Sequence, residues 1–469
     1  MLKRAILLLC ATLAGCSQMP DYQRPAAPIP LQWAQTAPAD GMRPASSLEW
    51  QTFFPDPRLQ ALIATAIEHN RDMRGAVARV EEARALFGIV RADRLPNVDL
   101  VASGTSARTP GDLSLSGRAA TSHRADVGLS LLSFELDFWG RVKSLNEAAL
   151  AGYLASVEAR KALRLTLIAD VANAYLSLLE MEERTTLARS TVASREQTRL
   201  LVSRRRDVGL AGDLDYLQAD GAYELARAEL ANLERQRAAA ANMLTLLLGK
   251  EPAALPAGRK LAEQGIVASL AAGLPADVLL QRPDVLAAEQ KLIAANANIG
   301  AARAAFLPRI SLTAGLGTAS KSLSGLFDSG QGAWNFQPVL HLPIFDAGRA
   351  SAGTDLAEAR RHVAVAEYEK AIQQAFREVA DLLAATEQLG EQLRAQERLD
   401  KVQGERLKLA DARYRAGVAS YLEVLDAQRE SFSAQQALVQ TRRSQLSSAA
   451  LLFKALGGGK QEEPAAKAD

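Results

Sequence analysis

Apolar positions along the chain follow two periods in alternating blocks, and the whole alternation occurs twice. Helical spacing begins near Leu59 and runs to Ala92, stopping before Leu95-Pro96, where proline disfavours a helical predecessor. The period then drops to two. Val98, Leu100 and Ala102 alternate with Asp99, Val101 and Ser103, and Val127, Leu129 and Leu131 resume the pattern after a polar loop. The phase slips at Leu132-Ser133, after which Phe134, Leu136 and Phe138 keep the apolar face, as a β-bulge allows. Strands are therefore predicted over 97–105 and 125–137. Further on, Ile310, Leu312, Ala314 and Leu316 follow Leu307-Pro308, and Trp334, Phe336, Leu340, Leu342 and Ile344 follow a Ser/Gly-rich loop. These predict strands over 309–318 and 333–344, with Pro338 and Pro343 awkward for the last one.

A long helical block follows each pair of strands. Arg141 to Val208 contains no proline and one glycine, Gly152; as one helix it would reach roughly 100 Å. Stripes such as Leu167, Val171, Ala174, Leu178, Met181 step by four and three. Tyr368, Ile372, Ala375, Val379, Leu382, Thr386, Leu389 and Leu393 form a seam of period 3.5, as in a coiled coil. Gly209 and Gly417 each sit between two such blocks, where glycine supplies the turn of a helical hairpin. Setting one on the other aligns Leu214 with Leu422, Asp215 with Glu423, and Gly140-Arg141 with Gly348-Arg349, all at one offset of 208 residues. The chain reads as a duplicated half-protein rather than a solenoid of short repeats. Its expected organisation is a signal peptide over 1–15, an N-terminal strap over 16–57, a first repeat over 58–250, a proline-rich linker over 251–284, a second repeat over 285–456, and a polar, disordered tail over 457–469.

Lys3-Arg4, an apolar run, and Leu13-Ala14-Gly15-Cys16 have the pattern of a bacterial lipoprotein signal, with Cys16 as the lipid attachment site. Removing Lys3 and Arg4 from 55 basic residues leaves 53 to face 53 acidic ones. That balance argues against a nucleic-acid partner, which calls for a basic excess. Only Cys10 and Cys16 are present, so neither a disulfide nor a thiolate metal site is expected in a mature chain. Four separated histidines show no metal-ligand spacing, and no nucleophile or phosphate-loop motif is complete, so neither an enzyme nor a cofactor is expected. Outside the signal no apolar run of transmembrane length is expected. Strands cross a bilayer only in a closed barrel, and four are too few to close one, so membrane strands would require several chains.

The duplicated hairpins, the lipobox, Asp21-Tyr22-Gln23-Arg24-Pro25, the run from Gly273 to Glu289 with Arg282-Pro283-Asp284, Phe306-Leu307-Pro308, and the stretch Tyr414 to Gln428 together resemble the TolC-like outer membrane efflux proteins, NodT-type or OprM-like lipoprotein branch. The resemblance implies an α+β membrane protein: a homotrimer with a twelve-stranded β-barrel, four strands per chain, continued by a long α-helical coiled-coil barrel in the periplasm. It implies a periplasmic adapter (membrane fusion protein) and an inner-membrane efflux transporter as partners, and a lipid-anchored location in the outer membrane. The function implied is a passive exit duct of a tripartite efflux system. The alternative is a periplasmic coiled-coil adapter or structural lipoprotein, although an adapter normally has one helical hairpin with flanking lipoyl-like domains. The turns at Gly209 and Gly417 are expected at the end farthest from the outer membrane. Glu423 and Asp426 share a helical face there, and in a trimer would set six carboxylates around the opening. By resemblance they match the family's aspartate rings, and Tyr414 and Asp215 match a pair tying neighbouring hairpins in the closed state. The chain departs from the family at Glu423, and at Ala419, where the prototype has an arginine. The plainer role for these acids is to complement a helix dipole.

Overall fold

The computed structural model describes residues 17–30, 32–33, 49–114, 117–251, 255–266 and 278–458. Cys16 and the signal segment lie outside the described residues, as do Pro252, Pro275 and the tail from 459. In chain order the principal elements are α1 (Pro57–His69), α2 (Arg71–Ala92), β1 (Val98–Thr109), β2 (Ala120–Leu136), α3 (Arg141–Asp207), α4 (Asp213–Leu248), α5 (Pro283–Arg303), β3 (Arg309–Ser320), β4 (Gly332–His341), α6 (Arg349–Arg415) and α7 (Tyr421–Ala455). The duplication holds in three dimensions. α3 and α6 have 67 residues each, begin after Gly140 and Gly348, and start and stop at the same 208-residue offset.

The chain divides into two compact units, each drawn from both repeats. The first (1–26, 79–157 and 287–368) holds one antiparallel sheet in the order β1-β2-β3-β4, so the second strand of one repeat pairs with the first strand of the other. β1 and β2 extend beyond the predicted ends, because Ser106–Thr109 pair with Ala120–His123 through backbone groups that need no apolar alternation. β4 stops at His341, short of the predicted 344, since Pro343 has no N–H to give a ladder. Pro338 is accommodated in β4, an edge strand of this sheet, opposite Leu312. The bulge falls where the phase slips. Ser133 takes φ 52°, and its N–H donates to Thr313 Oγ1 at 3.2 Å.

One sheet face carries Val98, Leu100, Val127, Leu129, Leu131, Leu312, Leu316, Trp334, Phe336 and Leu340. The other carries Asp99, Ser103, Asp126, Ser130, Ser311, Thr313, Asn335 and Gln337. The apolar face is left uncovered: Leu100 is 74% exposed and Trp334 77%. Gly128 and Gly317 stand opposite each other on the polar face, where a Cβ on Gly317 would lie 2.2 Å from the Val127 carbonyl oxygen. At the sheet's end Glu135 accepts from Arg141 Nε at 2.8 Å and pairs with Arg309 Nε at 2.6 Å. Trp139 Nε1 donates to the Pro308 carbonyl at 2.7 Å, a further link between the repeats.

The strap starts in this unit. Met19 passes over Gly300 so closely that a Cβ there would stand 2.7 Å from Met19 Cα. Asn296 donates to the Pro20 carbonyl at 2.7 Å. Arg24 meets the buried Glu289 with two hydrogen bonds, Nε at 2.6 Å and Nη2 at 2.8 Å, and the Tyr22 hydroxyl donates to Glu289 at 3.0 Å. The Asp21-to-Pro25 motif and the α5 glutamate, far apart in sequence, thus serve one fastening.

The second unit (27–78, 158–286 and 369–469) is built from helical packing. Phe53 stacks on Phe453 with centroids 4.5 Å apart, and Phe54 lies edge-on to both. All three are fully buried, a contribution of about 1.5–3 kcal/mol each. Asp56 caps α1 through Arg58 N and also accepts from Tyr175, Arg259 N and Gln264. Arg282 is buried and bonds Asp284, Glu378 and the Ala455 carbonyl, which closes the C-terminus of α7. Among the described residues one helix, α3, contains a segment that by length and composition alone could cross a membrane, where the sequence reading expected none. Leu165, Leu167, Ile168, Val171, Ala172, Tyr175 and Leu176 are buried against protein, so the segment's apolarity is that of a core helix.

Candidate pore mouth

Two helix-to-helix turns in the second unit carry the residues singled out as a gate. Gly209 and Gly417 end α3 and α6 with φ 79° and 75°, the left-handed conformation that glycine adopts without a Cβ penalty. At the first turn Gly209 N donates to Arg206 O and Leu210 N to Arg205 O; at the second Gly417 N donates to Tyr414 O and Val418 N to Arg413 O. Both are Schellman motifs, which satisfy the last carbonyls of the long helices. Gly212 and Ser420 then stand at the N-cap positions of α4 and α7.

Asp215 and Glu423 occupy equivalent third positions of the return helices. Asp215 accepts from the Gly212 N–H at 3.4 Å, the backward half of a capping box. Glu423 instead meets Arg413 Nη1 at 3.3 Å. Asp426, one turn on, lies 2.5 Å from Arg406 Nη2 and 2.8 Å from Arg429 Nη2. Neither carboxylate stands alone in the protomer, since each belongs to an acid–arginine pair. These pairs are solvent-accessible on both sides and worth at most about 1 kcal/mol each, weak enough to exchange partners.

Tyr414 and Asp215 are not brought together within the chain. The Tyr414 hydroxyl accepts from Arg205 Nη1 at 3.1 Å, so the tie between the two hairpins runs through Arg205. Beneath it Val202, Ala219, Ala410, Tyr421, Val424 and Ala427 form a closed apolar cluster, with Tyr414 and Tyr216 packed on its edge. Burial pushes the Tyr421 hydroxyl up to about 12, so it stays neutral. Arginines over rings add further contacts: Arg206 over Tyr216 at 4.2 Å and Arg199 over Tyr223 at 4.4 Å. Sequence reading missed Arg205, Arg406 and Arg413. For Arg205 and Arg413 the available signal was the basic last turn of each long helix, Arg204 to Arg206 and Arg413 with Arg415, which complements the dipole; Arg406, two turns earlier, carried no such signal.

The turns are also apolar on their outside. Leu210 and its counterpart Val418, and Leu214 and its counterpart Leu422, are each more than 60% exposed. Exposed aliphatic side chains at equivalent positions of both hairpins mark a surface suited to a protein partner.

The family model for outer membrane efflux proteins matches residues 62–250 and 274–458. The chain is 49% identical over 463 residues to the probable efflux pump outer membrane protein SepC of Pseudomonas putida, covering 97% of this chain and 96% of that one. It is 46% identical over 457 residues to the outer membrane protein OprJ of Pseudomonas aeruginosa, covering 97% and 95%. Among solved structures, the open state of the Neisseria gonorrhoeae MtrE outer membrane channel superposes with a TM-score of 0.87 at 41% identity, covering 95% of this chain and 98% of that one. A membrane protein from Pseudomonas aeruginosa gives 0.88 at 45% identity, covering 94% and 100%.

Proposed function

The chain belongs to the outer membrane efflux protein family, and on that premise we propose that three copies form the exit duct of a tripartite efflux system. The observation that carries the reading is the sheet: four strands, open edges at β1 and β4, and one apolar face uncovered in the protomer. An open sheet cannot stand in a bilayer with unpaired edge N–H and C=O groups, so closure calls for further copies. Three protomers would supply twelve strands, with Leu312 and Leu340 toward lipid and Thr313 and His341 toward water. Cys16 carries the lipid anchor in this reading, ahead of the strap fastened by Arg24 and Glu289.

The turns at Gly209 and Gly417 are the periplasmic mouth. Their exposed leucines and valine meet a periplasmic adapter, which links the duct to an inner-membrane transporter. Glu423 and Asp426 line the opening, Tyr414 ties the two hairpins of one chain through Arg205, and Asp215 with Tyr414 forms the pair that ties hairpins of neighbouring copies in the closed trimer. The cargo is that of an efflux pump for small organic compounds: relatives include toluene efflux pump and antibiotic efflux pump outer membrane proteins. No catalytic step or cofactor takes part, and a passive duct accepts what the transporter delivers.

The test uses a strain lacking this chain and loaded with a fluorescent efflux dye. Expression of the wild type is expected to lower dye retention, and a Leu210→Asp/Val418→Asp variant, folded and located in the outer membrane, is expected not to. Equal retention with and without the wild-type chain, in a strain carrying the pump, overturns the reading.

A further inference from the structure

Above the turns, α3, α4 and α7 leave between them a cavity of about 240 Å³, whose lining includes Arg195, Leu225, Ala226, Glu229, Arg429 and Phe432. Its walls are mostly hydrocarbon, and Arg195 and Glu229 in its lining have no ion-pair partner among the described residues. Arg195 reaches the Ala222 carbonyl through Nη1 at a long 3.4 Å, its Nε is buried without a hydrogen-bond partner, and no carboxylate lies in ion-pairing range of it among the described residues. Burial lowers the Arg195 pKa, and the neighbouring Tyr421 hydroxyl only partly offsets this, so the site disfavours the cation it holds. A half-buried guanidinium whose Nε is shut off from solvent without a partner leaves free energy to be gained by an anion that reaches it.

The other charges of the lining are accounted for differently. Arg429 is already engaged by Asp426 and Glu430. Glu229 has only a distant amide donor, Asn232 Nδ2 at 3.5 Å, so an anion must keep its head at Arg195 and its apolar body along Ala226, Leu225 and Phe432. Small apolar pockets with a few placed polar groups are the usual form of a site for an organic ligand.

We propose that this cavity is a binding site for a compact amphipathic anion, an aromatic or alkyl carboxylate or sulfonate. Its head pairs with Arg195 and its apolar body lies against Leu225 and Phe432. The cavity differs from the paired acids of the mouth, and the inference does not depend on them acting as a gate. The size restricts the ligand to about one ring with a short substituent.

The test titrates trifluoromethyl-benzenesulfonate into the purified full-length oligomer in nanodiscs, read by fluorine NMR, with trifluoromethyl-benzyltrimethylammonium as the cation of matching shape. Saturable binding of the sulfonate is expected, weakened roughly tenfold or more in Arg195→Gln, with little binding of the cation to either protein. Leu225→Trp keeps the arginine and places an indole at the half-open side of the cavity. Leu225 is 69% exposed, so the larger side chain folds without burden, and it too is expected to block the sulfonate. The proposal is overturned if the assembled wild type shows no saturable sulfonate binding, as when a neighbouring copy's carboxylate already occupies Arg195. It is also overturned if both variants bind as the wild type does, or if the cation binds equally well.

Discussion

Asp56→Asn removes one charge and changes almost no volume. Asp56 is fully buried. Its Oδ1 accepts the Arg58 N–H at 2.8 Å, and its Oδ2 accepts Tyr175 at 2.9 Å, Gln264 at 3.0 Å and the Arg259 N–H at 3.2 Å. All four partners donate. Burial alone would raise the carboxyl pKa, but these bonds outweigh it and hold it below the usual carboxylate value. Burial and the same carboxylate push the Tyr175 hydroxyl well above its usual value, so it remains a donor. Asparagine can keep its oxygen at the crowded Oδ2 position only by turning its NH₂ toward Arg58 N. That loses the α1 cap, about 1 kcal/mol, and leaves donors facing each other, about 1–3 kcal/mol more. The local cost is about 2–4 kcal/mol, which multiplies the population of the opened state roughly 30- to 900-fold. Hydrogen–deuterium exchange of the purified protein reads it: peptides spanning 56–63 and 255–264 are expected to exchange faster, with those around Gly209 unchanged. Exchange at the wild-type rate in both peptides, or an equal rise along the whole chain, refutes the reasoning. The pH dependence has a definite sign. Because the folded-state pKa is depressed, the carboxylate's contribution is present above the unfolded value near 4 and is lost as pH falls through the folded value. The wild type is therefore expected to approach the variant's exchange rate at acid pH.

Four further outcomes are expected. In bilayer recordings Glu423→Gln/Asp426→Asn lowers cation preference, whereas Arg406→Gln/Arg413→Gln, which removes the α6 arginines facing these acids and leaves Arg429 on Asp426, raises it; no change in either variant leaves these acids as caps only. Spin labels at positions 312 and 340 report lipid, and labels at 313 and 341 report water; like behaviour of the two pairs refutes the assigned faces. Intact mass gives a mature N-terminus at Cys16 carrying lipid, and an unmodified thiol there refutes the anchor. Gly317→Val, whose Cβ would stand 2.2 Å from the Val127 oxygen, abolishes heat-resistant oligomers while leaving the helical far-UV signal, and wild-type oligomer yield refutes the close-approach argument.

The sequence made the duplicated architecture legible because periodicity and glycine placement are local signals. The 208-residue offset read from Gly140-Arg141 and Gly348-Arg349 recurs in the bounds of α3 and α6. The Leu132-Ser133 slip is the observed bulge. Strand ends were less legible, since polar residues 106–109 pair by backbone alone. Beside the second hairpin turn, Glu423 and Asp426 were readable as neighbours on one helical face, but the α6 arginines that meet them were not. Arg406 and Arg413 reach them across the turn between two helices, a relation set by tertiary geometry rather than spacing. The same holds for Arg205 and Tyr414, separated by 209 residues.

The central claim is that several copies of this chain close one membrane-spanning duct. The measurement that meets it most directly is planar-bilayer conductance of the purified, detergent-solubilised oligomer, with its mass determined on the same sample. The account predicts a particle of three times the protomer's mass that inserts and conducts in discrete steps. A monomer, or a trimer that enters the bilayer and leaves it electrically silent under every voltage and in the gate variants, would contradict it.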